Sequence, residues 1–337
     1  MLTCWGKLLA NTPVLCYTHA NLAGEMRRSL IGIVGPTATG KTAVGIELAG
    51  RLDGEIVSAD SMAVYKGMDI GTAKPTPQEQ AEAVFHLIDV VYPDEDFSVA
   101  EYKRLAEEAI ADVLRRGKQP ILVGGTGLYV RAVTGGLNIP AAPPNRELRE
   151  QLKAEASQFG NEVLLDRLRA VDPETASRLH PNDQKRIIRA LEVHALTGLP
   201  ISHFHRTAGT SEVAYHARMF GLTMSRPALY ESIEQRVDQQ IRAGLVEEVR
   251  ALLDKGYSPG LPAMKGLGYK QIAGYLMGEY DLETALELLK RDTRRFAKRQ
   301  FTWFRAEPEI QWVDVENRNP GETADEIVSL LKRPKGM

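Results

Sequence analysis

Residues 35–42 read Gly-Pro-Thr-Ala-Thr-Gly-Lys-Thr, a complete GxxxxGK[ST] phosphate loop, and this is the strongest constraint on the fold. The strand-like run Leu30-Ile31-Gly32-Ile33-Val34 precedes it, and Ala43-Val44-Gly45-Ile46-Glu47-Leu48-Ala49 follows with helical character. In such a strand–turn–helix unit the backbone N–H groups of Gly35, Pro36's successor Thr37, Ala38, Thr39 and Gly40 wrap phosphate oxygens, and the helix start adds partial positive charge. Lys41 then reaches a terminal phosphate and Thr42 ligates Mg²⁺. A phosphorylated ligand follows from this segment. The loop by itself most often signals a nucleoside triphosphate.

Strand and helix signals alternate through the first half of the chain, which points to a parallel sheet covered by helices. The expected strands are Ile31–Val34, Glu55–Ala59, His86–Val90 and Pro120–Gly124, with helices at 43–52, 77–83 and 98–117. Ser98 followed by Glu101 reads as a capping box. The fourth strand ends in Gly124-Gly125-Thr126-Gly127, a second glycine-rich turn at a strand's carboxyl end, where open α/β sheets bind ligands. At Pro140-Ala141-Ala142-Pro143-Pro144 the alternation stops. Helical periodicity follows at 145–158, 161–170, 172–179, 182–196 and 201–206, and a polar stretch at 207–211 leads to a returning strand, Ala217–Leu222. Further helices are expected at 227–242, 245–255, 268–277, 281–288 and 289–305, then a strand Gln311–Val315 and a helix at 322–332. The fold class is therefore α/β: a P-loop NTPase-like parallel sheet flanked by helices, interrupted by an all-helical insertion. The expected division is a catalytic core of 29–139 and 213–318, the insertion 140–212, and a C-terminal helix and tail at 319–337.

The 337-residue length suits two structural units, and no apolar run reaches the length of a membrane span. Both cysteines, Cys4 and Cys16, precede the first strand, so a disulfide framework is not expected in the rest of the chain and a reducing cytoplasm fits. Residues 1–28 read as a disordered extension or a misplaced start, with Met26 a natural beginning, in preference to a weakly patterned targeting segment. Nothing in the sequence asks for an obligate protein partner.

Asp60 and Ser61 follow directly on the second strand. A carboxylate there is placed to act as a base on a bound substrate, or alternatively to cap a helix or support magnesium. Leu87-Ile88-Asp89 is a poor match to an apolar strand ending in a magnesium-holding Asp, because Val90 and Val91 continue the run. The stretch Tyr65–Pro75, with two glycines and two lysines, reads as a mobile surface loop that contacts phosphate or a flexible partner, or as an ordinary solvated loop. From periodicity alone, Arg236 is a surface residue, and His194, His203 and His205 have no metal partner set.

Charge is distributed unevenly although the net charge is only −2. Arg291, Arg294, Arg295, Lys298, Arg299 and Arg305 lie on one helical segment with a single acid, Asp292. The aromatics among them, Phe296, Phe301, Trp303 and Phe304, are expected to face the core. Such a helix is either a footprint for a nucleic-acid backbone or a solvated face. Lys185, Arg186 and Arg189 form a second basic cluster. Lys265-Gly266-Leu267-Gly268-Tyr269-Lys270 could hold a phosphate or stack a base, or it could only start a helix.

These stretches together resemble the tRNA dimethylallyltransferases of bacterial type, which modify the adenine beside the anticodon. The resemblance runs from about Ser29 to Val315. It is carried by Asp60-Ser61 with Tyr65–Pro75, Leu122–Tyr129, His180–Asp183, Arg189–Val193, Gly266–Tyr269 and Ala297–Gln300. It implies that the phosphate loop holds the diphosphate of dimethylallyl diphosphate instead of ATP, with Mg²⁺ on Thr42 and with Thr37 and Arg236 also on that diphosphate. It implies that Asp60 serves as general base toward the exocyclic amine. It further implies tRNA contacts from Asp60, Ser61, Met62 and Ala63, from Thr126 and Arg149, from Gln184, Lys185, Arg186, Ile187 and Ile188, and from Lys265 to Lys270. To these the basic helix adds Arg294, Lys298 and Arg299. Many family members carry Gln at the position of Ala63, so reading of the neighbouring nucleotide is the property this departure touches. The eukaryotic zinc finger is not in this sequence.

Two enzyme classes compete with that reading. A nucleotide kinase shares the loop, core and helical lid but leaves Asp60–Lys74 and the basic helix without a role. A prenyltransferase acting on free adenine nucleotide has no use for the insertion. A non-catalytic RNA-binding protein is a third possibility, against which the intact Lys41, Thr42 and Asp60 stand.

Overall fold

The computed structural model describes residues 29–135, 137–140, 142–207 and 215–333. The expected extension 1–28, with both cysteines, lies outside the described residues, as do 208–211 of the polar stretch. In chain order the described residues form β1 (Ser29–Val34), α1 (Lys41–Leu52), β2 (Gly54–Ser58), α2 (Pro77–Glu82), β3 (Phe85–His86) and α3 (Val99–Arg115). These are followed by β4 (Gln119–Gly124), α4 (Gly127–Thr134), α5 (Arg146–Phe159), α6 (Asn161–Val171), α7 (Pro173–Ala176), α8 (Gln184–Thr197) and α9 (Ile201–Arg206). The remainder comprises β5 (His216–Thr223), α10 (Arg226–Arg242), α11 (Leu245–Asp254), a 3₁₀ turn (Ala263–Lys265), α12 (Tyr269–Leu276), α13 (Leu282–Arg305), β6 (Ile310–Asp314) and α14 (Pro320–Leu331).

The chain divides into two compact units. The first takes residues up to 94, 108–125 and those from 214 on; the second takes 95–107 and 126–213. The helical segment read as an insertion from 140 lies within the second unit, which also takes in α4 and the start of α3.

The first unit is built on one parallel sheet in the order β3-β2-β4-β1-β5-β6. Continuous apolar runs such as Leu30–Val34 suit strands covered on both faces. β1 lies between β4 and β5, with Ile31 opposite Ile121 and Arg218 and with Val34 opposite Gly124 and Gly221. Ile31, Ile33, Ile121, Val123, Phe220 and Val313 pack with Val44 and Leu48 of α1 and Ile327 of α14 in one buried cluster. α14 is tied to α1 by Arg51, whose Nε lies 2.8 Å from Asp325 Oδ1. Because every strand runs the same way, the segments after β1, β2, β4 and β5 emerge at one edge of the sheet. The phosphate loop, Asp60 and the Gly124-Gly125 turn share that edge.

In the second unit, α5, α6 and α8 bury Leu152, Leu164, Leu168, Ile187 and Leu191 together. Glu192, fully buried on α8, accepts from the Asn145 amide at 2.7 Å and pairs with Arg149 (2.7 Å) and Arg189 (2.6 Å). Unpaired, that carboxylate would be strongly destabilising. Tyr102 and Tyr129 stack with ring centroids 3.8 Å apart.

Several expectations are corrected. The strand expected over His86–Val90 ends at His86, because Leu87 and Asp89 take left-handed backbone angles, φ 61° and 56°. The helix expected over 172–179 stops at Ala176. The helices expected at 281–288 and 289–305 are one helix, α13, since no breaker separates them. α4 was not anticipated. Trp303 points outward, 38% exposed, whereas Phe304 is buried and Phe301 stacks on Trp312.

Candidate phosphate-binding and catalytic site

The phosphate loop has the backbone of an anion cradle. Gly40 has φ 76° and Ala38 φ 65°; the latter is strained for a residue with a β-carbon and costs roughly 1–3 kcal/mol. Alternating left- and right-handed residues of this kind turn successive N–H groups to one side. The loop closes on its own carbonyl: Pro36 O accepts from Thr39 Oγ1 at 2.9 Å and from Lys41 Nζ at 2.6 Å. Thr42 is partly exposed on the first turn of α1.

Lys41, Asp60 and Arg236 form one electrostatic group. Burial brings the Lys41 ammonium down to about 7, the nearby Arg236 guanidinium pushes the same way, and the Asp60 carboxylate opposes both. Burial also lowers Arg236, again against Asp60. Arg236, a surface residue by periodicity, lies partly buried on α10 and is electrostatically coupled to Lys41 and Asp60. Asp60 is anchored: its Oδ1 accepts from the amides of Met62 (2.8 Å) and Ala63 (3.3 Å). Its backbone neighbourhood is equally tight, since a β-carbon at Gly124 would come within 2.2 Å of the Ala59 carbonyl oxygen. Two cations around one carboxylate suit a polyanion bound next to a reacting nucleophile.

The segment Tyr65–Pro75 is fixed in place, contrary to its reading as a mobile loop. The Glu248 carboxylate accepts from three successive amides, Asp69 (2.9 Å), Ile70 (2.8 Å) and Gly71 (3.1 Å), and from Tyr269 Oη at 2.6 Å. Lys74 is buried with its ammonium on Tyr65 O (2.6 Å), Asp69 (2.7 Å) and Asp89 (2.5 Å), so it is spoken for internally. Gln240 holds the carbonyls of Ile70 and Gly71.

The residues singled out for RNA contact separate by exposure. Tyr269 is fully buried, and burial together with Glu248 raises its phenol well above the ordinary value, so base stacking by that ring is corrected to a structural role. The flanking Lys265 and Lys270 are exposed; Gly266 and Leu267 are partly so, and Gly268 is the buried N-cap of α12. Ile187 and Ile188 turn into the helical core and Ala63 into the first unit's interior, which leaves Gln184, Lys185 and Arg186, or Ser61 and Met62, to present side chains. Thr126 is the N-cap of α4, and Arg149 holds Glu192. On α13, Lys298 and Arg299 are exposed, while Arg294 pairs with Glu234 at 2.9 Å.

Sequence reasoning gave Gln300 no role, although it closes the segment Ala297–Gln300 that carries the resemblance, and it passed over Glu248 and Gln240. Gln300 had a signal: it shares the buried stripe Thr293, Ala297 and Phe304, where a polar residue needs partners. Glu248 and Gln240 had none. Among the described residues no three His, Cys, Asp or Glu side chains gather as a metal cage, and no helix is long and apolar enough to cross a membrane.

The family model described as IPP transferase matches residues 63–307. The chain belongs to the IPP transferase family. A tRNA dimethylallyltransferase from Desulforudis audaxviator is 55% identical over 305 residues, covering 90% of this chain and 98% of that protein. The tRNA isopentenylpyrophosphate transferase solved from Bacillus halodurans is 42% identical with a TM-score of 0.67, over 90% of this chain and 95% of that one. A eukaryotic dimethylallyltransferase solved acting on tRNA reaches a TM-score of 0.75 at 25% identity, over 91% and 80% of the two chains. Membership in the IPP transferase family sets the kinase reading aside and agrees with the parallel sheet flanked by helices.

Proposed function

We infer that this chain transfers the dimethylallyl group of dimethylallyl diphosphate to the exocyclic N6 amine of the adenine 3′-adjacent to the anticodon in tRNA, releasing diphosphate. The observation that carries the reading is the grouping of Lys41, Arg236 and Asp60 at the sheet's carboxyl edge in a member of the IPP transferase family. The allylic carbon–oxygen bond breaks as its electron pair leaves with the diphosphate. The nitrogen–carbon bond forms from the amine lone pair, and the amine proton passes to Asp60. The phosphate loop, the Thr37 hydroxyl, Lys41 and Arg236 hold the leaving group and stabilise the charge it gains. Asp60 accepts a hydrogen bond from the amine as that nitrogen becomes positive.

The Thr42 hydroxyl, partly exposed on the first turn of α1, is the hard oxygen donor that would hold Mg²⁺ beside the diphosphate. When bound, the ion neutralises leaving-group charge. The anticodon stem-loop is received by the helical segment 140–212 through Arg149, Gln184, Lys185 and Arg186, together with Thr126. The first unit adds Ser61, Met62, Lys265, Gly266, Leu267, Lys270, Arg294, Lys298 and Arg299. The target base leaves its stack to reach Asp60, at a cost of a few kcal/mol in a single-stranded loop. A cytoplasmic location suits both substrates.

The test is transfer of radiolabelled dimethylallyl from its diphosphate to unmodified tRNA, with AMP and ATP as parallel acceptors. Label in tRNA that is lost in Asp60→Asn supports the reading. Label in AMP alone assigns the chain to prenyl transfer onto free nucleotides.

A further inference from the structure

Gln300 lies on the inward face of α13, 6% exposed, with both ends of its amide engaged. Its Oε1 accepts from the Thr37 amide of the phosphate loop at 2.8 Å, and its Nε2 donates to the Gly125 carbonyl after β4 at 2.9 Å. Gly125 is what admits it, since a β-carbon there would sit 2.2 Å from Nε2. The Thr37 N–H, expected to wrap a phosphate oxygen, is instead donated to Gln300, and the Thr37 hydroxyl is the group that remains for a phosphate.

We propose that Gln300 is a positioning residue for the prenyl-transfer reaction, a strut between two strand-end loops that keeps the phosphate loop in its diphosphate-receiving conformation. This rests on the reading of that loop as the diphosphate site. The neutral amide accepts from Thr37 and donates to Gly125 at once, whatever the pH. An ionised carboxylate keeps the first bond, loses the second and adds negative charge beside the loop. Alanine loses both.

The experiment measures the dissociation constant of inorganic diphosphate, and KM for dimethylallyl diphosphate and for tRNA, in the full chain carrying Gln300→Ala, Gln300→Glu or Lys41→Ala. Gln300→Ala is expected to weaken diphosphate and raise donor KM about tenfold, with tRNA KM unchanged. Gln300→Glu is expected to be worse at pH about 8, and its ratio to the parent protein to recover toward pH about 6 as the carboxyl gains a proton and can donate. A merely structural side chain would lower all affinities together with no such pH-dependent rescue, and that result overturns the proposal. So does diphosphate affinity within twofold of the parent in a folded Gln300 variant, provided Lys41→Ala has lost it. Full affinity in Lys41→Ala instead overturns the diphosphate reading itself. If Gln300→Ala fails to fold, Gln300→Glu and its pH profile decide alone.

Discussion

Lys41 Nζ donates to the carbonyl oxygen of Pro36 in its own loop at 2.6 Å, so the ammonium has a partner within the phosphate loop. With its pKa near 7, depressed by burial and by Arg236, Lys41 is largely neutral above that pH. A bound diphosphate would restore the proton, because an adjacent polyanion favours the charged form. Diphosphate affinity is therefore expected to fall as pH rises above about 7, by up to about tenfold per unit. Calorimetry in two buffers of different ionisation enthalpy should register proton uptake at pH about 8. Lys41→Arg, which keeps its charge, should flatten that dependence; the same slope in Lys41→Arg would assign it to another group.

Asp60→Asn preserves an oxygen able to accept the Met62 and Ala63 amides, so the turn should hold. What it removes is basicity toward the amine. Turnover is expected to drop about 10²–10⁴-fold while donor KM moves within a few-fold. Steady-state kinetics with both substrates varied would show the split, and a loss confined to donor KM would deny Asp60 its role.

Most of the sheet was legible because parallel strands covered on both faces leave unbroken apolar runs, and the phosphate loop marked β1 and α1. What escaped depends on contacts distant in sequence. Tyr65–Pro75 looks mobile because its glycines and lysines are typical of surface loops; its order comes from Glu248, Lys74 and Gln240, which no local pattern connects to it. Arg236 lies on a helix of mixed polarity, so its burial beside Lys41 could only come from resemblance. The strand after α2 was overextended because the left-handed turns at Leu87 and Asp89 lie within apolar residues.

Glu248→Ala should destabilise the first unit by about 2–4 kcal/mol, since three amides and the buried Tyr269 hydroxyl lose their acceptor together. Chemical denaturation would measure it. Glu248→Gln retains an acceptor and should fall between; a loss below about 0.5 kcal/mol in Glu248→Ala would mean the loop finds other partners.

Glu55, buried at the start of β2, binds Arg116, His86 at 2.8 Å and Lys118 at 3.3 Å. The Arg116 hydrogen bond foremost, helped by the other two against desolvation, holds its carboxyl down at about 2. A depressed carboxylate contributes stability that is complete above its unfolded value and is lost as pH falls toward the folded one. Stability is thus expected to drop by about 2 kcal/mol between pH about 4.5 and 2 through this group. Glu55→Gln should lower stability at neutral pH and shrink that acid-dependent part, as read from denaturation midpoints across pH.

On α13, Arg294 is already paired with Glu234 and lies over the Tyr230 ring, whereas Lys298 and Arg299 are exposed. If this face meets tRNA phosphates, each exposed cation releases condensed counterions and Arg294, neutralised in place, releases few. Lys298→Ala and Arg299→Ala should each reduce the slope of log affinity against log salt by about 1, and Arg294→Ala by clearly less. Filter binding of unmodified tRNA across a salt series distinguishes the three. Equal slopes in all variants and parent would remove α13 from the interface and return its charge to solvent.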